Sequence, residues 1–104
     1  MLEPILTEDE MMQYYDSWVF QFLDSEGCPK EEYNPAVGDR VYNLLYGRKH
    51  GRNPYGTVVK VTPSDDDWMC LLHVEKDGGG TSAAASTYYI KVPEEHDPWV
   101  KTTP

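Results

Sequence analysis

Side chains that commonly catalyse reactions or bind metals occur in this chain, but their spacing matches no catalytic or metal-binding motif. The histidines His50, His73 and His96 form no i, i+4 pair and have no cysteine at a ligand's spacing, so the sequence predicts no zinc site. Glycines 78–80 are not followed by Lys-Ser or Lys-Thr, and residues 65–67 lack the glycine and distal glutamate of a calcium loop. There is no G-x-S-x-G motif and no Cys-His signature. We therefore expect a protein without enzymatic activity, metal or cofactor.

The loop at residues 47–55, GRKHGRNPY, carries groups suited to single-stranded nucleic acid. Basic side chains contact phosphates, glycines supply flexibility, and tyrosine rings offer surfaces on which nucleotide bases stack. The bases and tyrosines concerned are Arg48, Lys49, Arg52, Tyr46 and Tyr55. Two other interpretations are an ordinary solvated loop and a loop that forms ion pairs with the acidic N-terminal segment.

Charge is distributed unevenly along the chain. The 104 residues contain 18 acids and 9 bases, and the formal net charge is −9. Residues 1–29 hold seven acids and no base, residues 37–60 hold five bases and one acid, and residues 61–104 hold eight acids and three bases. The net charge repels a phosphate backbone at long range and favours a basic partner, or serves solubility alone. We expect one basic loop on an acidic body.

Residues 7–27 have the pattern of one amphipathic helix of four to five turns. Thr7 and Glu10 form a capping-box signature, and Gly27 is a suitable residue just beyond a helix end. At about 100° per residue, seven apolar side chains fall on one face. They are Met11, Met12, Tyr15, Trp18, Val19, Phe22 and Leu23. We expect this face, including Trp18 and Phe22, to pack against the rest of the domain.

One aromatic residue, Phe20, falls on the opposite, polar face of that predicted helix. Gln13, Asp16, Ser17 and Asp24 surround it. An apolar anchor ringed by acids is typical of a surface that docks onto a basic partner protein. The alternative is a helix buried on both sides, by its own domain and by a twin subunit in a homodimer. In both cases Phe20, Gln13, Asp16 and Asp24 mark a contact surface.

After a connector at 28–36 that contains two prolines, the pattern changes to short β-strands. Segments rich in Val, Tyr, Leu and Thr are bounded by Gly, Pro, Asp and Ser. They predict strands at 39–46, 56–62, 68–75 and 87–93, with a short fifth strand near Trp99 and Val100. Residues 47–55 and 76–86 are predicted to be long loops. The residues expected in the core are Val41, Val58, Val61, Leu71, Val74 and Ile90.

The order VGDRVY, loop, YGTVVKV, acidic turn, WMCLLHVE, glycine-rich turn, YYIKVP resembles the SH3-like barrels of the KOW, Tudor and CAP-Gly type over residues 37–93. The resemblance implies a small barrel of a kind that binds RNA, ribosomes, tubulin tails, methylated lysines or other proteins. Methylated lysine would need an aromatic cage at one barrel mouth, and the alternative is that the same rings fill the core. The candidate rings are Tyr42, Tyr46, Tyr55, Trp68, Tyr88 and Tyr89.

These features predict an α+β protein in which an N-terminal amphipathic helix packs on a small SH3-like antiparallel β-barrel of four to five strands. Residues 1–36 supply the helix and connector, and residues 37–104 supply the barrel with its C-terminal tail, as one folding unit. No stretch approaches the ~20 apolar residues of a membrane span, and no basic and apolar leader opens the chain. We therefore expect a cytoplasmic protein.

The expected function is that of a protein-binding module without enzymatic activity. Small size, acidity and the lack of catalytic residues resemble phage or mobile-element inhibitors that occupy basic nucleic-acid-binding sites, such as anti-restriction or anti-CRISPR proteins. The alternative is a KOW- or Tudor-like accessory module that contacts RNA or DNA through the loop at 47–55.

Overall fold

A computed structural model describes residues 6–25, 29–31, 33–63 and 70–98. Within these ranges a short α-helix precedes an antiparallel sheet of five strands, which confirms the α+β class. The elements are α1 Glu8–Tyr14, β1 Arg40–Asn43, β2 Tyr55–Pro63, β3 Cys70–Lys76, β4 Thr81–Ala85 and β5 Tyr89–Lys91. Short 3₁₀ helices lie at Ser17–Phe22, Lys49–Gly51, Ser86–Tyr88 and Glu94–His96. None of the described helices is long and apolar enough to cross a membrane.

The sheet is a meander that returns to its first strand, in the order β4-β3-β2-β1-β5. Val41 of β1 pairs with Gly56 of β2, and Tyr42 of β1 pairs with Ile90 of β5. The 3₁₀ helix Ser86–Tyr88 carries the chain from β4 across to β1, so β4 and β5 are the two edges. The sheet is therefore open, and the predicted closed barrel is not formed.

Two apolar clusters lie on the two faces of this sheet. Val41 and Tyr42 are neighbours in β1, point to opposite faces, and are both fully buried. The cluster on the Tyr42 face is covered by the N-terminal segment and contains Leu6, Met11, Tyr15, Trp18, Val19, Leu23, Tyr42, Leu44, Tyr55, Ile90 and Val92. The cluster on the Val41 face contains Val41, Val58, Leu72, Val74 and Tyr89.

The start of α1 agrees with the sequence. The Thr7 N–H donates to Oε1 of Glu10, and the Glu10 N–H donates to Oγ1 of Thr7, each at 3.2 Å. The predicted capping box is therefore present. Gly27, the predicted residue beyond the helix end, lies outside the described residues.

The single helix predicted over residues 7–27 is wrong. Tyr15 and Asp16 have extended backbone, and the chain continues as the 3₁₀ helix Ser17–Phe22. The Asp16 N–H donates to the hydroxyl of Tyr42 at 3.0 Å instead of to a carbonyl of the preceding turn. A contact with the sheet, which helical periodicity does not encode, thus ends α1.

The break changes which side chains face the core. Trp18 is buried as predicted, but Met12 is 72% exposed and Phe22 is 38% exposed, so their placement in the core was wrong. Met11 is the buried residue of the two-turn α1. The prediction assumed one continuous helix through Asp16, and it therefore assigned too many side chains to the buried face.

The strand predictions hold best in the centre of the sheet. Val41, Val58, Val74 and Ile90 are buried, and Val61 is half-buried. The predicted strands at 39–46 and 87–93 are longer than the observed β1 and β5. The predicted fifth strand near residues 99 and 100 lies outside the described part of the chain.

One observed strand, β4, was not predicted, because it lies in the segment 76–86 that was predicted to be a loop. Its sequence TSAAA has little β-propensity, so the signal for a strand is weak. In β3 the buried residues are Leu72 and Val74, and strand alternation places Leu71 on the opposite face. Leu71 is 38% exposed, so its predicted burial was wrong.

Arg40 joins three parts of the fold through one guanidinium. It donates to both carboxylate oxygens of Asp77 at 2.7 and 2.5 Å, and to those of Asp97 at 3.0 and 3.2 Å. It also donates to Oγ1 of Thr57 at 2.9 Å. The side chains of Arg40, Asp77 and Asp97 are 14%, 12% and 2% exposed. This nearly buried ion cluster links β1 to β2, to the β3–β4 turn and to the C-terminal residues.

We expect Asp97→Asn to lower the free energy of unfolding by about 2 to 3 kcal/mol, because it removes one of two carboxylates that compensate a nearly buried guanidinium. Urea denaturation at neutral pH measures this. Glu94→Gln makes the same charge change at an exposed site on the same segment and should cost less than about 0.5 kcal/mol. Equal losses for the two variants would show that the ion cluster does not stabilise the fold.

Candidate functional site

Asp16 connects the N-terminal segment to the loop after β1 and to β2. Arg48 donates from Nε to Oδ1 of Asp16 at 2.6 Å and from a terminal nitrogen to Oδ2 at 3.1 Å. The Tyr55 hydroxyl donates to Oδ2 at 2.6 Å. With the bond from the Asp16 N–H to Tyr42, these four residues form what we call the Asp16 cluster. Both carboxylate oxygens of Asp16 therefore have partners inside the protein.

A second ion pair lies beside the Asp16 cluster. Nζ of Lys49 donates to Oε2 of Glu10 in α1. The backbone N–H of Arg48 also donates to the carbonyl of Tyr14 at 3.0 Å. The basic loop thus folds onto the acidic N-terminal segment, which is one of the interpretations that the sequence left open.

The remaining residues predicted to bind nucleic acid are Arg52, Tyr46 and Tyr55, and they differ in their surroundings. The guanidinium carbon of Arg52 lies 4.7 Å from the centroid of the Tyr46 ring, in cation–π contact. Tyr55 is only 4% exposed and is bonded to Asp16. Arg52 and Tyr46 therefore contact each other while the Tyr55 ring is buried, and nucleic-acid binding by the five residues stays a prediction.

The rings proposed for an aromatic cage mostly fill the core. Tyr42 and Tyr55 meet edge to face, with centroids 5.2 Å apart. Trp18 packs edge-on against Tyr42 at 5.4 Å and donates from Nε1 to the Tyr55 hydroxyl at 3.0 Å. Tyr89 is 1% exposed, and Trp68 lies outside the described residues. Tyr42, Tyr55 and Tyr89 are therefore core residues, and their buried rings do not line an open cage.

The electrostatics of the Asp16 cluster favour its ionised form. Burial alone would raise the pKa of Asp16, but the hydrogen bonds from Arg48 and Tyr55 outweigh it and hold that pKa below its ordinary value. The hydrogen bond to Asp16 raises the pKa of Arg48. Burial and the bond to Asp16 together raise the pKa of Tyr55 to about 12. The cluster is therefore a carboxylate with a guanidinium and a neutral phenol at neutral pH.

The other predicted docking residues lie outside this cluster. Phe20 is 38% exposed, and its ring lies 6.0 Å from that of Tyr15. Gln13 and Asp24 are exposed. Because the chain turns at Asp16, these residues do not share one helical face, and Asp16 itself points toward Arg48 and Tyr55.

Neither a metal centre nor a catalytic triad stands out in the described part of the chain. There, no group of three or more His, Cys, Asp or Glu side chains is placed to hold a metal ion. The one hydroxyl–imidazole contact found among these residues joins Oγ1 of Thr62 to Nε2 of His73, at 3.1 Å across β2 and β3. Residues 65–67 lie outside the described ranges. The absence of enzymatic activity stays a prediction.

Among the described residues, several cavities open on the surface. Two adjoining cavities of about 500 and 290 Å³ share Pro29, Lys30, Glu31 and Tyr33, and Phe22 borders the larger one. A third, of about 250 Å³, lies between the β1–β2 loop and the β3–β4 turn.

Comparison with known proteins finds no matching family model, no matching curated protein and no matching solved structure.

The Asp16 cluster predicts a loss of stability in acid. A carboxyl whose pKa is lower in the folded than in the unfolded protein adds stability above its unfolded pKa, and this is lost as the pH falls through the folded value. We expect Asp16→Asn to cost about 1 kcal/mol at neutral pH, because the pair with Arg48 is partly screened by solvent, and we expect this cost to shrink as the pH falls through the lowered pKa of Asp16.

Urea denaturation of wild type and variant across this pH range measures the difference. The control is Glu31→Gln, which changes an exposed carboxyl outside the cluster. An Asp16→Asn difference that does not change with pH would contradict the ionic role of this carboxylate.

Proposed function

We propose that this protein is a protein-binding module whose docking surface is the outer side of its N-terminal segment. The observation that carries the proposal is the exposure of three large apolar side chains, Met12, Phe20 and Phe22, at 72%, 38% and 38%. The acids Glu8 and Asp9 lie beside Met12 in α1, and Asp24 follows Phe22. We call these six residues the N-terminal outer surface.

The exposed residues of this surface are separate from those that fix the segment to the sheet. Met11, Tyr15, Trp18, Val19 and Leu23 from the same segment are buried in the core cluster. These buried residues attach the segment to the sheet, so the exposed Met12, Phe20 and Phe22 are not needed for that attachment. Exposed large hydrophobic side chains on one segment, with exposed acids beside them in the sequence, are typical of a protein interaction site.

The two phenylalanine rings of this surface each contact a buried aromatic ring. Phe20 rests against Tyr15 at 6.0 Å between centroids, and Phe22 meets Trp18 edge to face at 5.8 Å. Since Tyr15 and Trp18 are themselves buried, the anchors are ordered before a partner binds. Preorganised anchors lose less side-chain entropy on binding, which favours affinity.

The charge of the surface supports a basic partner. The formal net charge is −9, and Glu8, Asp9 and Asp24 are exposed. Acids around an apolar anchor raise the rate of encounter with a positive surface. In the finer form of the proposal, the partner surface is a basic nucleic-acid-binding site and the protein is an inhibitor of the anti-restriction or anti-CRISPR kind.

Asp16 has a different place in this proposal. Its carboxylate is bonded to Arg48 and Tyr55, so it positions the docking segment, and the exposed acids Glu8 and Asp9 lie at the rim of the surface. The same bonds weigh against the alternative of an accessory module that binds nucleic acid. Arg48 and Lys49 are already paired with Asp16 and Glu10, so less of their positive charge is available to phosphates.

The proposal keeps the SH3-like architecture as its description of the scaffold. Two features support it: the strands form a five-stranded meander, and β5 returns to pair with β1 beside β2. This arrangement leaves the N-terminal segment as an addition that covers the Tyr42 face of the sheet. In this proposal the sheet supports the N-terminal segment, and the exposed residues of the segment supply the specificity.

We expect Phe20→Ala to weaken partner binding by about 2 kcal/mol or more, while it changes the free energy of unfolding by about 1 kcal/mol or less. The control is Leu71→Ala on β3, because Leu71 is exposed to the same fraction as Phe20 and lies on a different element. Affinity capture with the three proteins as bait, followed by titration of the captured protein, measures both effects. Loss of binding by both variants, or by neither, would contradict the proposal.

Two further measurements separate the forms of the proposal. Sedimentation of wild type and Phe20→Ala tests the twin-subunit alternative, in which wild type is a dimer that the variant dissociates. For the inhibitor, addition of wild type should displace nucleic acid from the captured partner, and Glu8→Lys with Asp9→Lys should slow association and weaken its dependence on salt. Unchanged nucleic-acid binding by the partner would exclude the inhibitor form.

A further inference from the structure

The cavity between the β1–β2 loop and the β3–β4 turn has an unusual lining for so acidic a protein. Its volume is about 250 Å³, and its charged lining residues are Arg52 and Lys76, with no aspartate or glutamate. Asn43, Asn53 and Tyr46 also line it. We call this cavity the donor pocket.

The two asparagines present hydrogen-bond donors. Oδ1 of Asn43 accepts the N–H of Leu45 at 2.7 Å, and Oδ1 of Asn53 accepts the N–H of Tyr55 at 3.0 Å. Each bond fixes which end of the carboxamide is oxygen, because a backbone N–H needs an acceptor. In the described part of the chain, neither Nδ2 group has a protein acceptor, so both keep two N–H donors.

The two basic side chains of the pocket, Arg52 and Lys76, are also available to a ligand. Arg52 lies over the Tyr46 ring, and Nζ of Lys76 lies 3.9 Å from the position that a Cβ atom would take at Gly80. Among the described residues, neither base has a carboxylate partner. Other bases do have one, namely Arg40, Arg48 and Lys49.

We propose that the donor pocket binds an oxyanion, the phosphoryl group of a phosphate ion or phosphate ester. A guanidinium, an ammonium and two carboxamide NH₂ groups offer only donors, and a phosphoryl group offers only acceptors at neutral pH, with about −1.5 to −2 charge and three terminal oxygens. Arg52 is suited to bind two of these oxygens at once, since its planar fork matches their spacing. The pocket is separate from the N-terminal outer surface, so this proposal does not depend on the proposed function.

The test is a titration of ¹⁵N-labelled full-length protein with inorganic phosphate at low ionic strength, followed by amide chemical shifts. We expect saturable shifts confined to residues 47–54 and 76–82. Arg52→Gln and Lys76→Gln should each weaken phosphate binding about tenfold or more, because each removes a charge-assisted hydrogen bond. Lys60→Gln makes the same charge change on β2, outside the pocket, and should weaken it less than about twofold.

Asn53→Asp is the sharpest variant. It keeps the oxygen that accepts the Tyr55 N–H, and it replaces the NH₂ donor by a second carboxylate oxygen. Phosphate binding should disappear while the thermal midpoint stays near that of wild type. Retained binding in this variant would overturn the proposal, and so would shifts scattered over the surface or an equal loss in Lys60→Gln.

A parallel titration with a nucleoside monophosphate identifies the source of the phosphoryl group. A dissociation constant at least about tenfold lower than that for phosphate, with the same variants defective, supports a phosphate ester as ligand. Equal constants support the free ion. Loss of nucleotide binding in Phe20→Ala but not in Arg52→Gln would contradict the donor pocket.

Discussion

The half-buried carboxylate of Asp16 is the interaction on which the arrangement of the N-terminal segment depends. Arg48 and Tyr55 donate to its two oxygens, and its own N–H donates to Tyr42. These bonds hold the backbone extended between α1 and the 3₁₀ helix that follows. The change of direction brings Trp18 onto the tyrosines of the sheet and turns Phe20 and its neighbours outward.

This arrangement also decides what the charges of the protein can do. Arg40, Arg48 and Lys49 each bind carboxylates of the same chain, so they stabilise the fold and contribute little free positive charge. The exposed acids Glu8 and Asp9 add negative charge to the outer side of the segment, and this charge is what the proposed basic partner would meet. Arg52 and Lys76 differ because they border a cavity that has no acid in its lining.

The sequence predicts those features that local chemistry determines. The capping box at Thr7, the strands β1, β2, β3 and β5, and most of the core follow from hydrogen-bonding residues and apolar patterning. The length of the helix could not be predicted, because it ends on a bond to Tyr42, 26 residues away. β4 was missed because its three alanines pair with β3 but have little β-propensity of their own. Arg48 and Lys49 pair with the N-terminal segment, whereas Arg52 lies beside the glycine-rich β3–β4 turn. The sequence could not predict this difference, because spacing along the chain does not give the positions of Asp16 and of that turn in space.

The proposed docking surface depends on an N-terminal segment that is fixed to the sheet. Native-state hydrogen exchange tests this directly, since the Arg48 N–H donates to Tyr14 and the Asp16 N–H donates to Tyr42 only while the segment is docked. We predict that both amides exchange with a free energy close to that of the β1 and β2 amides. Exchange of these two amides at the rate of an unfolded peptide, while β1 and β2 stay protected, would contradict the account.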